Sequence, residues 1–285
     1  MALLLDGFAH HVVDTGEVEI GYSVGSGNGP AMLLLHGNSS RRDSFLNVAG
    51  LLSESYKVFA MDTRGHGFSS HTPGQYTTPN MVRDVVFVLR NVIKEPAIVW
   101  GHSMGGGIAA AALSENPELG LALVLEDSGV RSFGTRHPAS PPLGQRKSGT
   151  LSIFAQQLKA MDAGLSLEEM TTKIEEMQPG QPGYYAAWKA EVLIQLDNEL
   201  LRMAVEATEV GGRDPREILD KIEVPVLFMQ ADPDAGGLNT DEYLAEIIPD
   251  RDNFTVTKIV GAGHNINRAH TDLMLPVVLP WLAGL

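Results

Sequence analysis

The sequence predicts one α/β domain in which a mostly parallel central sheet is flanked by helices. Two observations carry this prediction. Short apolar runs rich in Val, Leu, Ile and Met alternate with longer segments of helical periodicity, which is typical of a parallel sheet covered on both faces. Between residues 128 and 220 this alternation stops, and helical patterns replace it.

Five apolar runs are predicted to form buried strands, because each is rich in apolar side chains and ends where a loop signal begins. They are Ala31–His36, Lys57–Asp62, Ala97–Gly101, Leu121–Asp127 and Pro225–Ala231. The alternating segment Glu17–Val24 precedes them, and the strand-like segment Phe254–Val260 follows them. Helical periodicity occurs at Thr78–Ile93, Met104–Glu115, Thr240–Ile248 and Asp272–Leu285.

Residues 128–220 are predicted to form a helical cap inserted between two core strands. The region begins with Thr135–Thr150, whose prolines and glycines predict a loop. Three helical stretches follow, at Leu151–Met161, Ser166–Met177 and Tyr184–Ala207, and no strand pattern occurs among them. The core is accordingly predicted to consist of residues 1–127 and 221–285.

The charge of the chain argues against several classes of partner. With 35 acidic and 21 basic residues the net charge is −14. Nucleic acids and anionic membrane surfaces are bound mainly through Lys and Arg, so neither is expected as a partner. The absence of cysteine excludes thiolate nucleophiles and fits a reducing compartment. Met1–Asp6 lacks the basic and long apolar parts of a secretory signal, and we expect a cytoplasmic protein.

The pattern Gly-x-Ser-x-Gly, which can mark a serine nucleophile, occurs at Gly21–Gly25 and at Gly101–Gly105. The chemistry needs a strand that stops abruptly and a helix that begins at once, so that helix N–H groups point at the developing oxyanion. Ser23 lies within an alternating strand that runs into a loop. Ser103 follows a buried strand and precedes the Gly- and Ala-rich helix Met104–Glu115. Ser103 is therefore the predicted nucleophile.

Four motifs, in this order, resemble those of the α/β-hydrolase superfamily. His36–Asn38 is similar to its oxyanion-hole turn, and Asp62–Ser69 is similar to its DxRGxGxS segment. Gly101–Gly105 matches the nucleophile elbow, and Gly261–His264 resembles the loop that carries the histidine. Together they span nearly the whole chain except the cap. The resemblance implies an α/β-hydrolase fold with an inserted helical cap.

By the same resemblance, the backbone N–H groups of Asn38 and Met104 are expected to hold the oxyanion. One such donor is typically worth about 3 kcal/mol of transition-state stabilisation. His264 is the predicted general base, because its Gly-rich loop follows a strand-like segment and the order Ser, Asp, His is the one this fold uses. An imidazole with a pKa of about 6.5 can take the serine proton and return it to the leaving group.

The acid that orients His264 has three candidates. Asp234 is favoured, because the family shows Gly-x-x-Asp after this strand and Ala231 stands where the glycine would be. Asp232 lies nearer the strand end, and Asp127 ends an earlier strand at which some relatives carry the acid. The two carboxylates that are not used would cap loops.

The leading hypothesis is hydrolysis of an ester-like acyl bond, as in a carboxylesterase or lactonase, without a metal or an organic cofactor. The expected partner is a small ester or lactone, and the protein is expected to be a monomer or a homodimer. Apolar cap side chains would roof the substrate pocket. They are Phe133, Phe154, Met161, Met177, Tyr184, Tyr185, Trp188 and Met203.

Other functions share parts of this pattern. Carbon–carbon hydrolases and perhydrolases use the same triad, and a hydrolase-derived receptor would keep the fold with slow turnover. Epoxide hydrolases and haloalkane dehalogenases use a carboxylate nucleophile, against which Ser103 argues. The loose GxGxxA pattern at Gly105–Ala110, with Asp127 about 20 residues further on, also suggests dinucleotide binding. It lies inside a helix start that follows a late strand, which disfavours this interpretation.

Overall fold

The computed structural model describes residues 5–130, 150–206 and 213–285. Its centre is an eight-stranded sheet in the order β1-β2-β4-β3-β5-β6-β7-β8. The strands are β1 Ala9–Asp14, β2 Glu19–Val24, β3 Ala31–Leu35, β4 Lys57–Met61, β5 Ala97–His102, β6 Gly120–Glu126, β7 Val226–Ala231 and β8 Phe254–Ile259. β2 runs antiparallel to β1 and β4, and the other neighbours are parallel.

Helices connect the strands and cover the sheet. Those before the predicted cap are α1 Leu46–Leu52, α2 Thr78–Val88 and α3 Met104–Glu115. Between β6 and β7 lie α4 Thr150–Asp162, α5 Leu167–Met177, α6 Tyr185–Ile194, α7 Asn198–Glu206 and α8 Pro215–Leu219. The last are α9 Asp241–Ile247, α10 Ile266–Ala269 and α11 Thr271–Ala283. In the described ranges, no helix is both long and apolar enough to cross a membrane.

The continuous apolar runs form central strands because both faces of the sheet are covered. All five residues of β3 are buried. Leu33 and Leu35 join the core on one face, which α2 and α3 cover, while Met32 and Leu34 join the core on the other face, which α1 and α11 cover. A strand buried on both faces has no polar alternation, as its sequence shows. The predicted fold class is confirmed.

The helix predicted at Tyr184–Ala207 is divided in the structure into α6 and α7. Asp197 lies at the break, and its backbone N–H donates to Gly65 O of the core at 2.9 Å. Its carboxylate accepts from the Tyr76 hydroxyl at 2.6 Å and from the Glu199 N–H at 3.0 Å. The interruption therefore supplies both a helix cap and an attachment to the core, which a continuous helix could not do.

Two further differences concern the ends of the sheet and of the cap. The sequence pattern does not indicate β1, since its residues are mostly exposed and it is held by pairing with β2. The predicted loop Thr135–Thr150 lies outside the described residues up to its last position, where α4 begins, and Phe133 also lies outside them. The described part of residues 128–220 contains helices and no strand, and α8 packs against α3 and α9 of the core. The boundary between cap and core stays a prediction.

Candidate active site

The candidate nucleophile stands on a sharp turn between β5 and α3. Ser103 has φ 52° and ψ −117°, a strained conformation for a residue with a side chain. Its backbone N–H donates to Glu126 O of the neighbouring strand at 2.9 Å. The turn therefore lifts Ser103 from the carboxyl end of β5, at the position expected from the motif.

The glycines of the elbow are required by close packing. A Cβ atom on Gly101 would collide with the backbone of Gly106, and one on Gly105 would collide with the carbonyl oxygen of Leu35. Since the obstructing atoms are backbone atoms, no side-chain rotation could relieve either contact. The absence of these side chains lets α3 start directly against the sheet.

Ser103, His264 and Asp127 form a continuous hydrogen-bonded chain. His264 Nε2 lies 3.0 Å from Ser103 Oγ, and His264 Nδ1 lies 2.7 Å from Asp127 Oδ2. The Asp127 side chain is fully buried, whereas the His264 side chain is 12% exposed. Because a carboxylate only accepts hydrogen bonds, Nδ1 carries the proton and Nε2 is left to accept from the serine hydroxyl. This is the arrangement that activates a serine nucleophile.

The structure places Asp127, and not the favoured Asp234, beside His264. Asp127 also accepts from the Leu238 N–H at 2.7 Å and from Asn239 Nδ2 at 3.0 Å, so its carboxylate is fixed from several directions. Asp232 accepts from the Gly261 N–H at 2.9 Å and from the Asp234 N–H at 3.0 Å. This geometry favours Asp127 over Asp234 as the acid that orients His264, and Asp232 caps a short turn while it braces the histidine loop.

The position of Asp127 follows from the strand order. β6 is the immediate neighbour of β5, so its carboxyl end lies next to the elbow. Asp127 has a φ of 40°, unusual for a non-glycine residue, which turns the chain sharply after β6. The sequence does contain a signal for Asp127, since this aspartate directly follows the strand after helix α3. From the sequence alone, however, the Gly-x-x-Asp spacing after β7 favours Asp234 more strongly.

A layer of buried polar groups supports the hydrogen-bonded chain of Ser103, His264 and Asp127. His102 Nε2 donates to His264 O at 3.0 Å, and burial, with the nearby His264, holds the pKa of His102 well below its usual value. Glu126 accepts from the Asn267 N–H at 2.8 Å and from the Trp100 indole at 3.0 Å, and burial raises its pKa to about 7. His102 and Glu126 therefore fix the segment that runs from His264 to Asn267.

The turn His36–Asn38 faces the elbow. A Cβ atom on Gly37 would lie 2.8 Å from His102 Nδ1 and 3.1 Å from Ser103 Cβ, so the turn is held as close as a glycine permits. Met104 is the first residue of α3, and its N–H has no acceptor within the helix. In the described part of the chain, no acceptor pairs with the Asn38 N–H. Both predicted oxyanion donors are therefore available beside the nucleophile.

The side chain of Asn38 serves the turn itself. Its Oδ1 accepts from the Ser39 N–H at 2.8 Å and lies 3.3 Å from His66 Nε2, and its Nδ2 donates to Leu200 O of α7 at 3.4 Å. Asn38 thereby links the turn to the predicted cap. These side-chain contacts do not involve the backbone N–H of Asn38, which is the group expected to bind the oxyanion.

The DxRGxGxS segment has a structural role beside the site. Asp62 accepts from Arg42 Nη1 at 2.8 Å and from the Phe68 N–H at 3.0 Å. Arg64 forms a buried pair with Asp84, with Nε to Oδ2 at 2.6 Å. The Thr63 N–H donates to His36 Nε2 at 3.1 Å. The segment thus braces the turn that carries Asn38.

Within the described ranges, no group of three or more His, Asp or Glu side chains could hold a metal ion.

The chain matches the alpha/beta hydrolase fold family over residues 30–267. It therefore belongs to the α/β-hydrolase family, an enzyme family whose members include hydrolases of several kinds. The match runs from β3 into the start of α10, and so includes the elbow, Asp127 and His264. The resemblance noted from the four motifs is confirmed.

Relatives with different substrates resemble the chain. It is 34% identical to a fluoroacetate dehalogenase from a Burkholderia species over 129 residues, which cover 44% of this chain but only 42% of that relative. It is 26% identical to an sn-1-specific diacylglycerol lipase of Xenopus tropicalis over 273 residues, 90% of this chain and 80% of the lipase. The N-formylmaleamic acid deformylase of Pseudomonas putida S16 has a similar structure, with a TM-score of 0.76 at 21% identity over 95% of this chain and all of that one.

Proposed function

We propose that this protein hydrolyses an ester-like acyl bond, as a carboxylesterase or lactonase does, through an acyl-enzyme on Ser103. One observation carries the proposal: the hydrogen-bonded chain from Ser103 Oγ through His264 to the buried Asp127, with distances of 3.0 Å and 2.7 Å. Asp127 is the proposed triad acid, which holds the imidazole in one tautomer and stabilises the imidazolium that forms.

In the first half-reaction, His264 Nε2 takes the hydroxyl proton while Ser103 Oγ forms a bond to the substrate carbonyl carbon. The carbonyl oxygen becomes an oxyanion, which accepts from the backbone N–H groups of Asn38 and Met104. The intermediate then collapses, the bond to the leaving alcohol breaks, and His264 returns its proton to that alcohol. For a lactone, the leaving alcohol stays attached to the acyl group.

In the second half-reaction, water replaces the alcohol. His264 takes a proton from the water, whose oxygen attacks the acyl carbon of the ester on Ser103. The same two N–H groups hold the second oxyanion. When this intermediate collapses, Ser103 Oγ leaves with the proton from His264, and the carboxylic acid is released. The enzyme returns to its starting state, and the triad needs no other group.

Serine chemistry also argues against dehalogenation, although a dehalogenase is among the relatives. Displacement of a halide from a saturated carbon by Ser103 Oγ would produce an alkyl ether. An ether has no carbonyl group at which water and an oxyanion hole can act, so the enzyme would remain alkylated. The residue at the elbow between β5 and α3 is Ser103, and a dehalogenase of this fold would need a carboxylate there.

Partly buried apolar side chains of the predicted cap are proposed to hold the acyl chain. Phe154, Met161 and Met203 are partly buried on helices α4 and α7. Tyr185 and Trp188, by contrast, are 3% exposed. The Trp188 indole donates to Asp43 Oδ1 at 2.8 Å, and the Arg268 guanidinium lies over both rings, so these two hold the cap to the core. Because small-molecule sites are lined mainly by apolar side chains, the partly buried set favours a small, largely apolar substrate.

The test is steady-state hydrolysis of p-nitrophenyl esters of increasing acyl length, together with a panel of lactones. We expect steady turnover that Ser103→Ala lowers by at least about 10⁴-fold, because the nucleophile is lost. Ser23→Ala is the matched control, since Ser23 belongs to the second Gly-x-Ser-x-Gly pattern but lies within β2. A single turnover followed by arrest would indicate a receptor, and turnover that survives Ser103→Ala would contradict the proposal.

A further inference from the structure

A lysine from the predicted cap reaches the turn that carries the oxyanion donor. Lys189 lies on α6 and is buried. Its Nζ donates to the backbone oxygen of Ser39 and to Ser39 Oγ, the latter at 3.0 Å. Ser39 directly follows Asn38, whose N–H is the proposed oxyanion donor.

We propose that Lys189 is a positioning residue, which holds the Asn38–Ser39 turn from the cap and so keeps the proposed oxyanion donor in place. The inference rests on the proposed function for its catalytic consequence. Its structural part, the control of the turn by the cap, depends only on the contacts of Lys189.

The turn needs an external support because it is strained. Ser39 has a φ of 53°, in the left-handed region that residues with a side chain rarely adopt. The Asn38 Oδ1 accepts from the Ser39 N–H at 2.8 Å, which stabilises the bend locally. A strained residue persists only when its surroundings fix it, and the two bonds from Lys189 fix both its backbone and its side chain.

A second cap helix reaches the same turn. Asn38 Nδ2 donates to Leu200 O of α7 at 3.4 Å. Residues 38 and 39 are thus each bonded to a different cap helix. In both cases the bonded partner is 150 residues or more further along the chain. Movement of the cap away from the core would remove both supports together, which couples its docking to the position of the Asn38 N–H.

The cost of burying Lys189 supports this role. Among the residues that the structure describes, no carboxylate lies within ion-pair distance of its Nζ. Burial, with the charge of Arg268 nearby, holds its pKa well below the usual value. A buried amine without a counter-ion is unfavourable, whereas Met or Leu would pack at this position at no such cost. The favourable contacts that the amine adds are those with Ser39.

The test compares Lys189→Met with Tyr76→Phe. Methionine matches the four-atom aliphatic part of the lysine side chain in length and lacks the amine. Tyr76→Phe is the matched control, because it removes another hydrogen bond from the core to the predicted cap, from the Tyr76 hydroxyl to Asp197 at 2.6 Å, and leaves both bonds from Lys189 to Ser39 in place. We expect Lys189→Met to lower kcat for a p-nitrophenyl ester by about 10- to 100-fold with KM within about twofold. The Ki of a trifluoromethyl ketone, whose adduct carries an oxyanion, should rise by the same factor.

Tyr76→Phe should change kcat and Ki by less than about threefold. Equal losses in the two variants, or a Lys189→Met enzyme with wild-type kcat and Ki, would overturn the inference. If Lys189→Met does not fold, Ser39→Ala removes one of the two acceptors, and it should lower kcat several-fold at constant KM. An unchanged kcat in Ser39→Ala would then overturn the inference.

Amide hydrogen exchange separates this inference from the proposed function. Lys189→Met should increase exchange across residues 36–42, and Tyr76→Phe should not, whether or not the protein hydrolyses esters. If wild-type protein shows no turnover but exchange rises in Lys189→Met, the proposed function fails and the control of the turn by Lys189 stands. If exchange in this segment is unchanged, the inference fails even for an active esterase.

Discussion

His264 Nδ1 lies 2.7 Å from Asp127 Oδ2, a carboxylate at the end of the strand next to that of the nucleophile. Asp127→Asn removes the acceptor that fixes the imidazole tautomer, so we expect kcat to fall by about 10⁴-fold. Asp234→Asn is the control, and it should leave kcat within about threefold of wild type. Steady-state kinetics with a p-nitrophenyl ester give both values. A large loss in Asp234→Asn with little loss in Asp127→Asn would contradict the assignment.

The contrast between the elbow and the acid shows what a sequence can predict. Ser103 is predictable because its requirements are local: a strand, a tight turn with glycines and a helix, all within residues 97–115. The acid depends on where two loops meet after the chain has folded, and three aspartates satisfy the local pattern. The adjacency of β5 and β6, together with the positive φ of Asp127, brings Asp127 to His264, and this arrangement cannot be seen in the sequence.

Long-range contacts are likewise absent from the sequence pattern. The break between α6 and α7 depends on Asp197, whose N–H meets Gly65 O of the core. Lys189 and Ser39 are 150 residues apart, and neither belongs to a motif. The helical periodicity of this region predicts helices correctly, but it cannot show where a tertiary contact interrupts them.

Two glycines in different surroundings should respond in opposite ways to substitution by alanine. Gly105→Ala places a Cβ against the carbonyl oxygens of Leu35 and His36 and should lower the free energy of unfolding by about 2 kcal/mol or more. Gly50→Ala lies within α1, where nothing stands within 4 Å of the new Cβ, and should raise it by about 0.5–1 kcal/mol. Urea unfolding measures both. A Gly105→Ala protein as stable as wild type would show that the elbow has more room than the structure indicates.

Buried and exposed ion pairs should differ sharply in their effects. Arg64 and Asp84 form a buried pair, with Nε to Oδ2 at 2.6 Å, so Asp84→Ala leaves a buried guanidinium that retains the exposed Glu17 carboxylate at 4.0 Å. We expect a loss of about 3–5 kcal/mol in the free energy of unfolding. Glu118→Ala removes the exposed partner of Arg90 and should not change Tm. Thermal and urea unfolding measure the stability of both variants. Similar losses in the two would contradict the expectation that the buried pair matters more than the exposed one.

Glu126 gives the stability of the protein a specific pH dependence. Burial raises its pKa from 4.5 to about 7, so in this range the folded protein binds a proton that the unfolded chain has released. Its contribution to stability is complete below pH 4.5 and is lost as the pH rises through 7. The Tm of Glu126→Gln minus that of wild type should therefore increase between about pH 5 and about pH 8. A constant difference would contradict the raised pKa.

Treatment of the native protein with a fluorophosphonate, followed by peptide mass spectrometry, tests directly whether Ser103 is an activated nucleophile. We expect one phosphonyl group per chain on Ser103, formed at a rate that falls by orders of magnitude when His264 is replaced by Ala, since the imidazole that accepts the serine proton is then missing. No adduct, an adduct on another residue such as Ser23, or labelling of Ser103 that is as fast without His264 would contradict this role.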